Sequence, residues 1–219
     1  MTDVAVTAKR SRMMEGATRH PRDAIVVVAG LATAFVLSLI RIEHISDAER
    51  DVFDAINHLS DVVATPTEAV MMLGTFIAVP IVAIVALVFR RLRLATVLLA
   101  AGCLAYAVAR VSKLFIRAGR PLEVLPNSDV IVRGAAALGL GFPSGHSAVS
   151  AALAFGALPY LPRPWRYVAL GVPLVVGIAR VYVGAHLPLD IVGGWGIGIA
   201  AAFAVHLLVG RPSLRQPDD

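Results

Sequence analysis

Long apolar blocks divided by short charged stretches dominate the pattern of this chain. The first block covers 24–40, bounded by Asp23 and Arg41. A second falls within 65–89 and stops at Arg90-Arg91, and a third runs over 94–115. After a Gly- and Pro-rich loop at 116–142, a fourth block begins at Ser144 and ends before Pro162-Arg163-Pro164. The fifth covers 165–183 and the sixth 189–209. A helix needs roughly 20 apolar residues to cross about 30 Å of hydrocarbon. The expected fold is therefore all-α, a polytopic membrane protein with six transmembrane helices.

Between the first two blocks, 43–61 is acidic, with Glu43, Asp47, Glu49, Asp51, Asp54 and Asp61 against Arg50. Val52, Phe53, Ile56 and Leu59 recur there at spacings that suit one helix face. This predicts an amphipathic interfacial helix after the first span, lying on the membrane surface.

Residues 1–23 carry Lys9, Arg10, Arg12, Arg19 and Arg22 without an apolar run, and read as a disordered basic tail. The expected organisation is that tail, one membrane domain over 24–210, and a short tail over 211–219. Ala32-Thr33-Ala34 has the small-x-small form of a signal cleavage site. The long leader and short core that cleavage would imply favour an uncleaved first span. Cations crowd the N-terminal tail, Arg90-Arg91 with Arg93, Arg163 with Arg166, and Arg211 with Arg215. By the positive-inside rule both termini are cytoplasmic, and 113–146 and 186–190 face the extracytoplasmic side. Arg117, Arg120 and Arg133 break that rule in the third loop, which suggests another task for some of them.

Composition narrows the partners. The chain is 58% hydrophobic and 16% charged, against roughly 45–50% and about 25% in soluble domains. Its net charge of +5 sits at the ends of apolar blocks rather than in a basic stripe with aromatics, so nucleic-acid binding is not expected. Cys103 is the one cysteine, which excludes a disulfide framework and a cysteine metal cluster. The lipid bilayer is the expected partner, and oligomeric state is not legible. Gly194 and Gly198 form a small-xxx-small pair, read as packing within the chain. Trp165, Tyr167 and Trp195 read as interfacial anchors.

Three short clusters carry the candidate chemistry. In the first, Lys113 and Arg120-Pro121 are seven residues apart, on one face if the helix continues. Gly119 and Pro121 instead suggest that the helix ends and turns Arg120 back. Snorkelling to lipid headgroups is the alternative, and is preferred for Arg117 and Arg133. The second cluster is Pro143-Ser144-Gly145-His146. Ser144 suits a helix N-cap, and a helix N-terminus offers unpaired N–H groups and a positive dipole end to a phosphate oxygen. Gly145 permits close backbone approach, and His146 projects from the first turn. An ordinary loop-to-helix junction is the competing reading.

The third cluster is Arg180, His186 and Asp190. If a helix starts near Pro188, a carboxylate–imidazole hydrogen bond becomes plausible. It would fix the tautomer of His186 and leave its other nitrogen free to attack. The same pair would suit a metal ligand with an outer carboxylate. His44, His58 and His206 lack ligand-like spacing to it, so a metal site is the lesser alternative. Strong anion donors beside such an imidazole suit phosphoryl transfer.

Together the clusters resemble the three-part signature of the type 2 phosphatidic acid phosphatase superfamily, in its membrane branch. The match is Lys113 with Arg120-Pro121, the complete 143–146 tetrad, and Arg180 with His186 and Asp190. Ala179 departs from it, standing where the family usually has Ser, an accessory hydrogen-bonding position. The resemblance implies that Lys113, Arg120, Ser144, Gly145 and Arg180 bind phosphate. It implies His186 as nucleophile, Asp190 as its orienting partner and His146 as general acid, with no metal and no cofactor. It further implies a phosphorylated lipid substrate at a plasma membrane. Undecaprenyl or another polyprenyl diphosphate is the leading expectation, and phosphatidylglycerol phosphate or phosphatidic acid the alternative. Vanadium haloperoxidases share the signature, but are soluble and larger. A non-catalytic lipid-binding or transport scaffold is the reading from a different class.

Overall fold

A computed structural model describes residues 17–125, 130–134 and 138–212. The parts of the expected tails at 1–16 and 213–219 lie outside these residues.

Helix α1 (Arg22–Glu43) carries Asp23 in its first turn and Arg41 in its last, as the helix dipole favours. Helix α2 (Asp47–Asn57) follows Ser46, whose hydroxyl accepts from Glu49 N at 3.1 Å. A 3-10 turn at Asp61–Val63 leads to α3 (Ala64–Met71), a second 3-10 turn at Met72–Gly74, and α4 (Ala78–Val88). Then come α5 (Leu92–Phe115), the single-turn α6 (Pro121–Val124), α7 (Gly145–Ala157), α8 (Arg163–Tyr182) and α9 (Pro188–Val209). Strands β1 (Ala17–Thr18) and β2 (Arg211–Pro212) pair antiparallel, so the end of the expected basic tail is held against the residues after α9. An Arg211–Asp23 ion pair reinforces that junction.

Among the described residues, α1, α5, α8 and α9 are long and apolar enough to cross a membrane. Asp61–Gly74 and Ala78–Val88 make a fifth candidate if counted as one span, bent by 71°. The second apolar block is thus a broken element rather than a continuous helix. The Thr75 hydroxyl donates to Met72 O at 2.7 Å, and a Cβ on Gly74 would lie 2.7 Å from His146 O. The chain breaks where it passes over the first turn of α7. The fourth block forms only the 13-residue α7, about 20 Å long at 1.5 Å per residue. The chain tightens at its end into a 3-10 turn, Leu158–Tyr160.

The amphipathic segment does form a helix, with a different stripe turned inward. Glu49, Phe53 and Asn57 are buried, one turn apart, and Phe53 packs with Leu125, Val181, Leu187 and Ile191. Val52 and Leu59 remain exposed.

Small residues build the centre. Ala101, Ala105 and Ala109 of α5, Ala148 and Ala152 of α7, and Ala201 and Ala202 of α9 form one cluster with Ala34 of α1. Without a hydrophobic driving force in lipid, such close backbone approach gives van der Waals contact. Gly194 and Gly198 press on the backbone of α7 at Ser144 and Ala148, and Gly30 of α1 faces Gly196 of α9. Trp195 is half-buried and donates to Pro173 O at 3.1 Å, so it packs inside the bundle, whereas Trp165 and Tyr167 are exposed.

The bundle has two distinct ends. At one, β1 meets β2 and Arg91 donates to Tyr160 O. At the other, Arg41, Lys113, Gly145, Arg180 and Asp190 come together from the ends of five helices.

A Cβ on Gly196 would sit 2.6 Å from Gly30 O, so Gly196→Val forces α1 away from α9. Overpacking of this kind costs about 1–3 kcal/mol. The expected outcome is a lower thermal midpoint in detergent for Gly196→Val, with exposed Leu208→Ala leaving it unchanged.

Candidate active site

Helix ends and the loops they release supply most of the described polar groups at this end. Helix α5 stops at Phe115, so Lys113 lies in its last turn. The Lys113 ammonium donates to Leu140 O at 2.7 Å and Gly141 O at 3.1 Å. Beyond α5 the chain pairs with 139–141: Gly119 bridges Leu140, and Gly141 N donates to Ala118 O. That pairing turns the loop back, as Gly119 and Pro121 suggested. Arg120 precedes α6, its backbone N–H donating to Glu123 Oε2 at 2.9 Å.

Ser144 caps α7, its hydroxyl accepting from Ser147 N at 3.4 Å and from the Ser147 hydroxyl at 3.1 Å. Its own N–H donates to Asp190 O at 2.9 Å. Gly145 and His146 then form the open first turn. Arg180 closes α8, its guanidinium 3.3 Å from Met71 Sδ. The bend after α8 uses Gly184 at φ +72°, and α9 starts at Pro188, as expected, with Asp190 in its first turn.

A cavity of about 520 Å³ is lined by Lys113, Arg120, Gly145, His146, Arg180 and His186, with Arg110, Tyr106 and Leu114 at its side. Six of the eight residues singled out from the sequence therefore share one space. Ser144 and Asp190 lie behind it, both with no exposed surface. Arg110 is an addition; its place one turn before Lys113 on α5 was the signal.

Asp190 is engaged at both carboxylate oxygens. Its Oδ2 accepts from Leu187 N at 3.0 Å and lies 3.4 Å from His186 Nδ1. The second distance is longer than a well-formed hydrogen bond. Its Oδ1 accepts from Arg41 Nε at 3.1 Å, and Arg41 Nη2 donates to Gly119 O at 2.8 Å. Both side chains of this ion pair are buried, and breaking such a pair costs about 3–5 kcal/mol. Sequence reasoning took Arg41 only as the boundary of the first block. In the sequence Arg41 is a cation between Ile40 and Ile42 at the end of an apolar block, which names no partner by itself.

Burial pushes the His186 imidazole down to about 4, against the opposing charge of Asp190. It is neutral near pH 7, and Nδ1 faces Asp190 while the ring borders the cavity. Glu49 of α2 accepts from Leu189 N at 3.0 Å, and burial raises its carboxyl above the usual range. Helix α2 thus caps the start of α9.

Arg133 does not snorkel. Its guanidinium donates to Asp61 Oδ1 (2.8 Å), Asn57 O (2.7 Å), Tyr182 O (2.8 Å) and Leu59 O (3.1 Å). It also lies 4.1 Å over the ring of buried Tyr182. Asn57 adds bonds from its side chain to Ile131 O and Tyr182 O, both 2.9 Å. Phe142 is buried against Gly193, so it and Tyr182 are packing residues. His44 and His58 are exposed, and His206 is buried against Phe155 O at the other end. Among the described residues no three His, Cys, Asp or Glu side chains converge as a metal site would require.

Residues 90–213 match the model of the PAP2 superfamily. The chain belongs to that superfamily. It is 36% identical over 74 residues to phosphatidylglycerophosphatase B of Bacillus subtilis, covering 29% of this chain and 36% of that protein. It is 29% identical over 125 residues to an undecaprenyl-diphosphatase of Sulfolobus acidocaldarius, covering 56% of this chain and 59% of that protein. The chain therefore spans between about a third and three-fifths of the length of these relatives. Its fold is similar to the crystal structure of Aquifex aeolicus LpxE, with TM-score 0.64, 22% identity, and 70% and 92% of the two chains covered. It is also similar to that of a transmembrane PAP2-type phosphatidylglycerolphosphate phosphatase from Bacillus subtilis, with TM-score 0.60, 21% identity, and 82% and 93% covered. With its apolar helices, this PAP2 chain is a multi-pass membrane protein.

Proposed function

We propose that this protein is a metal-independent phosphatase that hydrolyses a membrane lipid phosphate or diphosphate through a phosphohistidine. The observation that carries the reading is the shared cavity, in which four cations, a helix N-terminus and two imidazoles meet. Lys113, Arg120 and Arg180, with the N–H of Gly145 at the start of α7, hold the phosphate oxygens and stabilise the charge that builds on them. Ser144 supports them by capping α7. His186 attacks phosphorus through Nε2, since Nδ1 faces Asp190. The P–N bond forms as the bond to the leaving oxygen breaks, and His146 gives that oxygen its proton. Water then attacks the phosphohistidine, His146 takes its proton, and the P–N bond breaks to release phosphate. Asp190 orients His186 and stabilises the imidazolium character that develops.

A lipid substrate follows from the surroundings. Val111, Leu114 and Phe115 of α5, beside the cavity, are 53%, 67% and 79% exposed, an apolar face along which a tail can lie while the phosphate enters. Polyprenyl diphosphate, such as undecaprenyl diphosphate, is the leading substrate, and phosphatidylglycerophosphate or phosphatidic acid the alternative. The relatives named for undecaprenyl-diphosphatase and phosphatidylglycerophosphatase activity support both.

The chain crosses the membrane six times in this reading, with α7 and its 3-10 extension as one short crossing and the bent pair as another. The pairing of β1 with β2 supports an even number, because it holds both ends of the domain on one side. Arg91, Arg163, Arg166 and Arg211 support reading that side as cytoplasmic. The tails at 1–23 and 211–219 then flank a membrane domain over 24–210, with the cavity at the extracytoplasmic face of a plasma membrane. Helix α2 lies at the outer interface, with Val52 and Leu59 toward lipid.

Catalytic efficiency of purified protein on a panel of lipid mono- and diphosphates, with chelator present, is the deciding measurement. Activity only with added divalent metal, or none on any lipid phosphate, would refute the proposal. His186→Ala is expected to lower turnover by about 10⁴-fold or more while the protein still inserts; surviving turnover removes His186 from the mechanism. His146→Ala is expected to cost about 10²–10⁴-fold on lipid substrates and far less on aryl phosphates, whose leaving oxygen needs no proton; equal losses count against His146 as the acid. Lowering the pH through about 4 protonates His186 and removes its lone pair, so kcat/KM is expected to fall there; a profile without that acid limb counts against His186 as the nucleophile.

A further inference from the structure

Arg41 lies outside the matched residues 90–213, and its burial sets it apart from its neighbours. Its side chain is 2% exposed, while Ile40 and Ile42 on either side are 44% and 58% exposed. Helix α1 therefore turns a guanidinium inward and leaves apolar groups outside. The two prongs of that guanidinium reach different motifs: Nε donates to Asp190 Oδ1, and Nη2 to Gly119 O, the residue before Arg120. A planar fork can serve both acceptors at once, which a single ammonium cannot.

The charged groups around His186 and Asp190 are Arg110, Lys113, Arg120, His146 and Arg180 from the cavity side, and Arg41 and Glu49 from behind. Within this set, only Arg41 forms an ion pair with Asp190 on the side away from the cavity. We propose that Arg41 is a positioning residue for phosphoryl transfer, fixing the Asp190 carboxylate behind His186 and locking the Arg120 loop to that same carboxylate. It is not among the residues that line the active-site cavity and acts through Asp190 and Gly119. The reaction it serves rests on the phosphatase reading, but the physical link from Arg41 to His186 does not.

That link has a sign. A carboxylate shared with a guanidinium exerts less pull on a neighbouring imidazole than one left to that imidazole alone. Removing the charge of Arg41 therefore favours the protonated form of His186 and moves its titration upward, while the freed Asp190 carboxylate and Gly119 loop no longer hold the ring and Arg120 in place.

The test uses the full chain in detergent, with ¹⁵N-histidine NMR titration and steady-state kinetics on a lipid phosphate; the His186 signal is identified by its loss in His186→Asn. Arg41→Gln is expected to raise the His186 midpoint by about 1 pH unit, to move the acid limb of kcat/KM the same way, and to lower kcat about tenfold or more at unchanged KM. Arg41→Lys is expected to keep the midpoint at its wild-type position while kcat falls several-fold, because Gly119 O is released. An unmoved or lowered midpoint in Arg41→Gln, or wild-type kcat in either variant, overturns the proposal. Should Arg41→Gln not fold, Arg41→Lys decides alone: reduced kcat at unchanged KM supports positioning, and wild-type kinetics reduces Arg41 to a packing residue. If the wild type itself releases no phosphate, the phosphatase reading fails, while the titration still reports whether Arg41 governs His186.

Discussion

A carboxylate with no exposed surface organises this protein. Burying the charge of Asp190 is costly unless it is paired and hydrogen-bonded, and its two oxygens draw donors from separate segments. Arg41 comes from α1, Leu187 N–H from the turn before α9, and His186 stands 3.4 Å away. The backbone carbonyl of the same residue receives Ser144 N–H, the cap of α7. Through Arg41 the network continues to Gly119 and the loop carrying Arg120. The first helix, the third loop and the starts of α7 and α9 thus meet on one residue.

That convergence requires close helix packing, and small side chains permit it. Gly194 and Gly198 let α9 lie against the backbone of α7, while Gly30 and Gly196 do the same for α1 and α9. Where close approach meets a bend, the second apolar block breaks at Gly74 over His146. The resulting fold brings Met71 against Arg180. A straight span could not reach over that turn.

Polar clamps then hold the loops that packing leaves loose. Asn57 and Arg133 bind 130–134 to the end of α8, and Glu49 binds α2 to the start of α9. These groups explain why an acidic, amphipathic segment buries Glu49 and Asn57 beside Phe53. Its inward stripe satisfies backbone donors and acceptors as well as covering apolar surface.

Periodicity and local chemistry alone determined that the chain is helical and apolar, that Ser144 starts α7, and that Pro188 starts α9. The same local logic singled out Lys113, Arg120, Gly145, His146, Arg180 and His186, because motif spacing is written along the chain. Tertiary structure decided what depends on partners distant in sequence. It separated Arg133, a clamp on Tyr182 and Asn57, from the exposed Arg117. It broke the second block, shortened α7, and made Arg41 a partner of Asp190 rather than a boundary residue. A cation at a helix end has the same local signature whether it meets lipid headgroups or a carboxylate 149 residues away, and only the packing of α1 on α9 selects between them.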